Sequence, residues 1–140
     1  MIRQIAPLLK KIFKLNSDLV GLVDEWATGF ISELDYEEEA RNAQLFSDSI
    51  KTTPLGDKVF APQVLPELSS KRVLTTMWVD GVKIEQVNRT NASSFCALAM
   101  NSYLTMMLET GVLHADPHPG NLFITPEGKL CILDWGLVTR

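Results

Sequence analysis

The chain has 140 residues, 46% of them hydrophobic and 21% charged, with a formal net charge of −4. That length allows one domain with a real core, and the composition is ordinary for a folded soluble chain. No basic face is evident, which argues against a general nucleic-acid binder, and no apolar run reaches the roughly 18 residues needed to span a bilayer.

The amino end, residues 1–16, carries Arg3, Lys10, Lys11 and Lys14 and no acid, with Ile2, Ile5, Leu8, Leu9, Ile12 and Phe13 at helical spacing. A basic amphipathic start can be a transit peptide. This one lacks Ser and Arg richness, and Pro7 interrupts it, so it reads as a solvated helix packed on a domain. Asn16-Ser17-Asp18 offers a cap and a first-turn acid for a new helix, in which Leu19, Leu22, Val23, Trp26 and Phe30 share one face. The pattern predicts continuation past Gly29 towards Phe46. Within that stretch lie Glu33, Asp35, Glu37, Glu38 and Glu39. If helical, Glu33–Glu37 and Asp35–Glu39 are like-charge pairs costing about 0.2–0.5 kcal/mol each. Arg41 can offset Glu37 alone, so a cation or basic partner would relieve the cluster.

Residues 51–70 hold three prolines and a glycine and read as loop, with a short strand at Lys58–Phe60. Lys71–Val79 is rich in β-branched and aromatic residues and ends at Asp80-Gly81, which predicts a strand and a turn. Val82–Asn91 reads as a short helix or loop. Residues 91–110 read as a helix with Phe95, Leu98, Ala99, Tyr103 (or Ser102), Met106 and Met107 on one broad face, closed by Gly111. Met100, Met106 and Met107 read as core, and Cys96 and Cys131 as buried small hydrophobes rather than a disulfide. Residues 122–125 and 130–133 flank Pro126-Glu127-Gly128-Lys129, a hairpin with Pro126 in the first central turn position and Gly128 left-handed.

The chemistry is concentrated around that hairpin. Asp116 stands two residues after His114, Asn121 five after Asp116, and Asp134, in an Asp-Trp-Gly triplet, thirteen after Asn121. Protein kinases use this grammar of His-x-Asp, Asn and Asp-Phe-Gly. Two carboxylates and an amide oxygen suit hard Mg²⁺ bridging nucleotide phosphates. The hairpin should fold Asp134 back towards Asn121. Pro117 and Pro119 bias Asp116 and His118 to extended backbone, stiffening the loop as a preorganised site requires. His114-x-Asp116-x-His118 could instead seed a transition-metal site, but the chain has only these two histidines. His114 reads as a backbone-binding loop residue, His118 as a loop residue and Trp135 as packing.

With these residues in hand the chain resembles the UbiB family, also called ADCK-type or ABC-one atypical kinases. His114-Ala-Asp-Pro-His-Pro-Gly-Asn121 is similar to that family's catalytic loop, and Leu133-Asp-Trp-Gly-Leu137 to its Asp-Phe-Gly segment. The stretch from Glu33 through Asp35 and Glu39 to Asn42 resembles its Glu-x-Asp motif, and Val73–Gly81 its hinge strand. The resemblance implies roles residue by residue. Asp116 would orient or deprotonate a nucleophile, supported by His114. Asn121 and Asp134 would hold Mg²⁺. Glu39 would pair with a phosphate-gripping strand lysine. Glu33 and Asp35 would face the nucleotide pocket, and the segment from Met77 to Asp80, with Met77 and Val79 as its candidate binding residues, would lie beside adenine.

The fold implied is α+β: a partial protein-kinase-like domain over 1–140, with a helical region at 1–50, small-lobe strands and hinge at 58–81, and catalytic loop and Asp-Trp-Gly at 91–140. The resemblance further implies Mg²⁺ and ATP as cofactors, a nucleotide partner with a prenyl lipid or membrane surface, isoprenoid-quinone or prenyl-lipid metabolism, and a plastid or mitochondrial location. No Val-Ala-x-Lys strand, Ala-rich loop or Lys-x-Gly-Gln motif is present, and the sequence stops four residues after Gly136. The expectation is therefore a fragment without efficient turnover alone; the alternative is a pseudoenzyme or a protein- or membrane-interaction module.

Overall fold

The structure, a computed structural model, describes residues 35–140. The basic amphipathic start, the Leu19–Phe30 stripe and Glu33 lie outside the described residues. Helix α1 spans Tyr36–Ile50, and the reason for its start is local. Asp35 is its N-cap, accepting from the Glu38 N–H at 3.4 Å, and Glu37, Glu38 and Glu39 fill the first turn. Acids there oppose the unsatisfied N–H groups and the positive end of the helix dipole. This corrects the expectation of one helix running on to Phe46: Asp35 is a cap with non-helical backbone, so the supposed Asp35–Glu39 helical pair does not form. The acid run is relieved within the chain, by the helix end, by Arg41 on Glu38 at 2.6 Å and by Lys71 near Asp35 at 3.5 Å. The buried face of α1 is Asn42, Ala43, Phe46 and Ile50.

After α1 the chain turns into strand β1 (Val59–Phe60), two residues of the predicted three. Residues 71–79 do not form the regular strand expected. They pair irregularly with 63–70 through isolated bridges, Val64 with Thr76 and Ser70 with Val73. Leu65 N–H donates to Thr75 O and Met77 N–H to Gln63 O, both at 2.8 Å. The 3-10 turn at Pro66–Leu68 interrupts the partner strand, so no continuous ladder can form. Strand β2 (Val82–Lys83) and a 3-10 turn (Ile84–Gln86) occupy the region read as helix or loop.

Helix α2 (Arg89–Thr105) begins two residues before the predicted start because Asn88 caps it, and it runs on as a π-helical turn, Met106–Thr110. Gly111 ends it at φ 68°, its N–H donating to Met106 O at 3.0 Å. The broad apolar face is narrower than expected. Ala99, Ser102 and Met106 are buried, whereas Met100 and Met107 are 64% and 55% exposed. Cys96 is exposed too, and only Cys131 is buried. Both helices turn their core residues towards the hairpin of β4 (Leu122–Ile124) and β5 (Leu130–Ile132). The hairpin forms with the predicted turn, Gly128 lying at φ 77°, and pairs Leu122 with Ile132 and Ile124 with Leu130.

One sheet has the order β1-β5-β4-β2, parallel at β1–β5 and antiparallel elsewhere. A second, β3 (Leu113–His114) with antiparallel β6 (Val138–Thr139), had no sequence signal strong enough to predict. The core is one cluster, with Phe46, Val59, Met106, Leu130, Ile132 and Trp135 at its centre. The result is a mixed α/β frame in which the loop between β3 and β4 and the segment after β5 are held on a common core.

Candidate functional site

His114 sits at the end of β3, almost fully buried. Its Nε2 donates to Leu133 O at 2.9 Å, and its Nδ1 accepts the Asp116 N–H at 3.2 Å. Both ring nitrogens are therefore spent on backbone, which fixes the tautomer and leaves neither for a metal. His114 accordingly acts as the peg between the loop and the segment after β5. Beyond it, the His118 N–H donates to Asp116 O at 2.7 Å and the Asn121 N–H to His118 O at 2.9 Å. His118 itself is exposed, and its Nδ1 accepts the Gly120 N–H. Asn121 Nδ2 donates to Asp116 Oδ2 at 3.1 Å. The amide nitrogen is thus committed to Asp116, and Oδ1 makes no hydrogen bond among the described residues.

The hairpin carries Asn121 to its counterpart. Leu122 pairs with Ile132, and one step beyond that pair the Leu133 N–H donates to Asn121 O at 2.8 Å. Leu133 is thereby held through both of its peptide groups, by Asn121 and by His114. The next residue is Asp134. Its φ of 59° is the sole left-handed non-glycine value among the described residues, a conformation Asp tolerates but which costs energy unless its surroundings impose it. Here they do, because Leu133 before it and Trp135 after it are both fixed.

Trp135 is fixed from α1. Its N–H donates to Glu39 Oε1 at 3.3 Å, and its carbonyl accepts from Asn42 Nδ2 at 3.0 Å. Its ring stacks on Phe46 with centroids 4.1 Å apart and meets His114 edge-on at 4.8 Å. The indole N–H is satisfied by Ile132 O. Arg140 closes the back of the arrangement by donating to Asn42 Oδ1 at 3.0 Å. Glu39 is half-buried, and no ion pair reaches it among the described residues. Burial, and next the Asp134 carboxylate, push its carboxyl up, while the Trp135 N–H pulls it down.

A cavity of 190 Å³ opens at this point, lined by Glu39 and Ala43 of α1, by Pro62, Val64, Leu74 and Thr76 of the ribbon, and by Leu133, Asp134 and Trp135. Of the residues picked from sequence, Asp116, Asn121, His114, Asp134 and Glu39 are joined by this network. Asp35 is occupied as the cap of α1. Desolvation, the largest single influence, raises its carboxyl, but the Glu38 N–H and the Lys71 ammonium together outweigh it and hold it below the usual range. Met77 is more than half exposed, and neither it nor Val79 lines this cavity; Leu74 and Thr76 do. Strand alternation puts 74 and 76 on one face and 73 and 77 on the other, which could have singled them out. Leu133, Asn42 and Arg140 act by hydrogen bonds that no local pattern announces. Among the described residues, no three His, Cys, Asp or Glu side chains gather as a closed metal cage. Two carboxylates, those of Glu39 and Asp134, line the cavity, and Asp116 and Asn121 are not among its lining residues.

A family model described as the ABC1 atypical kinase-like domain matches residues 1–140. The chain is 38% identical, over 99% of its length and 19% of the relative's, to a chloroplastic aarF domain-containing protein kinase of Arabidopsis thaliana. It is 35% identical over its whole length, and 20% of the relative's, to the chloroplastic Protein ACTIVITY OF BC1 COMPLEX KINASE 3 of the same plant. It thus spans about a fifth of the length of these curated relatives. Among solved structures, the Rv3197–erythromycin complex from Mycobacterium tuberculosis superposes with a TM-score of 0.73 at 27% identity, over 99% of this chain and 35% of that one.

Proposed function

The chain belongs to the ABC1 atypical kinase-like domain family, and from that premise we propose that residues 113–136 form the base- and metal-bearing half of a Mg²⁺- and ATP-dependent site. Its chemistry is phosphoryl transfer or ATP hydrolysis. The observation that carries the reading is the closed chain of contacts Asp116–Asn121–Leu133, which sets Asp134 immediately beyond it. Asp116 is the candidate base: its Oδ2 is oriented by Asn121, and its backbone is pinned at both N and O. Asn121 Oδ1 and the Asp134 carboxylate would hold Mg²⁺, which when bound neutralises phosphate charge. Glu39, half-buried and facing Asp134, is suited to a cationic side chain gripping phosphates. The helix cap Asp35, Met77 and Val79, which do not line the 190 Å³ cavity, and Glu33, which lies outside the described residues, are assigned to a wider nucleotide surround by the family resemblance alone. The chloroplastic relatives favour a plastid location; a place in isoprenoid-quinone or prenyl-lipid metabolism rests on the family resemblance alone.

Calorimetric titration with Mg²⁺–ATP tests the reading. Binding should require the cation and weaken at least tenfold in Asp134→Asn, while Asp116→Asn retains binding. In a longer protein that also holds the phosphate lysine and lid, Asp116→Asn should remove turnover. Cation-independent binding, or an affinity unchanged by Asp134→Asn, would overturn it.

A further inference from the structure

Asn42 lies in the interior of α1 and is 3% exposed. Asn is a poor helix former, because its side chain competes for backbone hydrogen bonds, and burying an amide is costly unless it is paired. An apolar residue of similar size would fill the position at less cost to the helix. The amide is paired at both ends, to groups far along the chain. Nδ2 donates to Trp135 O at 3.0 Å, and Oδ1 accepts from the Arg140 guanidinium at 3.0 Å. A carbonyl only accepts and a guanidinium only donates, so this orientation of the amide is forced.

Those contacts bear on Asp134. Its φ of 59° is a strained value for a residue with a side chain, kept only where neighbours impose it. Upstream, Leu133 is held by Asn121 and His114. Downstream, Trp135 is held by two α1 side chains three positions apart: Glu39 accepts its N–H at 3.3 Å, and Asn42 donates to its carbonyl. The Glu39 contact is the longer, and it belongs to the group proposed to take a cationic partner. Asn42 Nδ2 makes no other hydrogen bond among the described residues. We infer that Asn42 is a positioning residue for Asp134, on the reading that Asp134 holds Mg²⁺. By fixing Trp135 to α1 it keeps the left-handed backbone that places the Asp134 carboxylate in the 190 Å³ cavity. Release to the ordinary helical region would turn φ by about 120° and carry the carboxylate elsewhere.

Nuclear magnetic resonance of the isotope-labelled full chain gives a test that needs no ligand. A left-handed residue brings its amide and α protons close, so Asp134 should show a strong Overhauser effect between them. That signal should weaken in Asn42→Ala and in Asn42→Asp. The second variant keeps the volume and the Arg140 contact and removes only the donor to Trp135 O, so it opens no cavity and serves where Asn42→Ala fails to fold. A merely structural role would lower the melting temperature and leave the signal in place; an unchanged Asp134 signal in a folded variant would overturn the inference. Calorimetric titration with ATP over a series of Mg²⁺ concentrations is the second measurement. Mg²⁺ half-saturation should rise about tenfold in both variants, as when a group that orients a metal ligand is lost, with the stoichiometry unchanged. A lower stoichiometry at the same half-saturation would mean unfolded protein alone and would also overturn it. If the unsubstituted chain binds no Mg²⁺–ATP, the proposed function fails, and the Asp134 signal still decides the role of Asn42.

Discussion

Two stretches of this chain, 113–136 and 62–82, are alike in length and apolar content yet behave oppositely. In the first, backbone and side chains are tied to each other at almost every step: His114 to Leu133, Asn121 to Leu133 and Asp116, Trp135 to Glu39 and Asn42. In the second, a few backbone bonds hold a ribbon whose Val73, Met77, Trp78 and Val82 are all about half exposed or more. The difference shows where order is enforced. A candidate catalytic segment must hold its oxygens still before any substrate arrives. The ribbon supplies a wall to the same cavity through Leu74 and Thr76 but holds few of its own large side chains in the core.

The largest test of the contrast is Trp135→Ala. The backbone of residue 135 donates to Glu39 and accepts from Asn42, and both bonds survive the change, so the variant removes only the ring with its burial and its indole N–H bond to Ile132 O. Trp135 is almost fully buried between Phe46 and His114. Truncating such a ring costs about 3–5 kcal/mol, a large share of the total stability of a domain this size. Urea unfolding should show it as a sharply lowered midpoint. A loss below about 1 kcal/mol would mean that the ring is not the keystone of the ordered segment.

A smaller effect, of opposite sign, is expected at Glu39. Its carboxyl is raised in the folded state by burial and by Asp134. A group raised on folding contributes its full stability below its unfolded value, and that contribution is lost as pH rises through the folded one. At neutral pH the ionised Glu39 therefore works against folding. Glu39→Gln keeps an oxygen to accept the Trp135 N–H and removes the repulsion with Asp134. The melting temperature should rise by about 1–3 °C at pH 7, and the gain should vanish below about pH 4. A lower melting temperature at pH 7 would show that the carboxylate has a cationic partner in solution. Stability surrendered at this position fits a group kept charged for binding.

The asymmetry between the stretches also decided what could be read from sequence. The loop and hairpin were legible because each step has a local cause: Gly111 ends a helix, Pro117 and Pro119 stiffen the loop, and Gly128 takes the left-handed turn position. The spacing of Asp116, Asn121 and Asp134 then follows from hairpin geometry. The ribbon was misread as a strand because β-branched content reports propensity, whereas regular pairing needs an uninterrupted partner, and Pro66 denies it one. The exposure of Met100, Met107 and Cys96 was illegible because a helix stripe says which face is apolar, not whether anything covers it. Asn42 and Arg140, which meet across 98 positions, act through contacts that only the folded chain makes.

The smallest effect expected is the sharpest discriminator. Trp78 is 90% exposed although it belongs to the same residue type as buried Trp135. If the ribbon contributes little to the core, Trp78→Ala should change stability by no more than about 0.5 kcal/mol, as surface substitutions usually do. In a Trp26→Phe background its loss should also remove the indole most open to acrylamide among the described residues, leaving the protected emission of Trp135. A destabilisation approaching that of Trp135→Ala would mean that the ring is covered in solution. The two stretches would then differ in what covers them rather than in how firmly they are built.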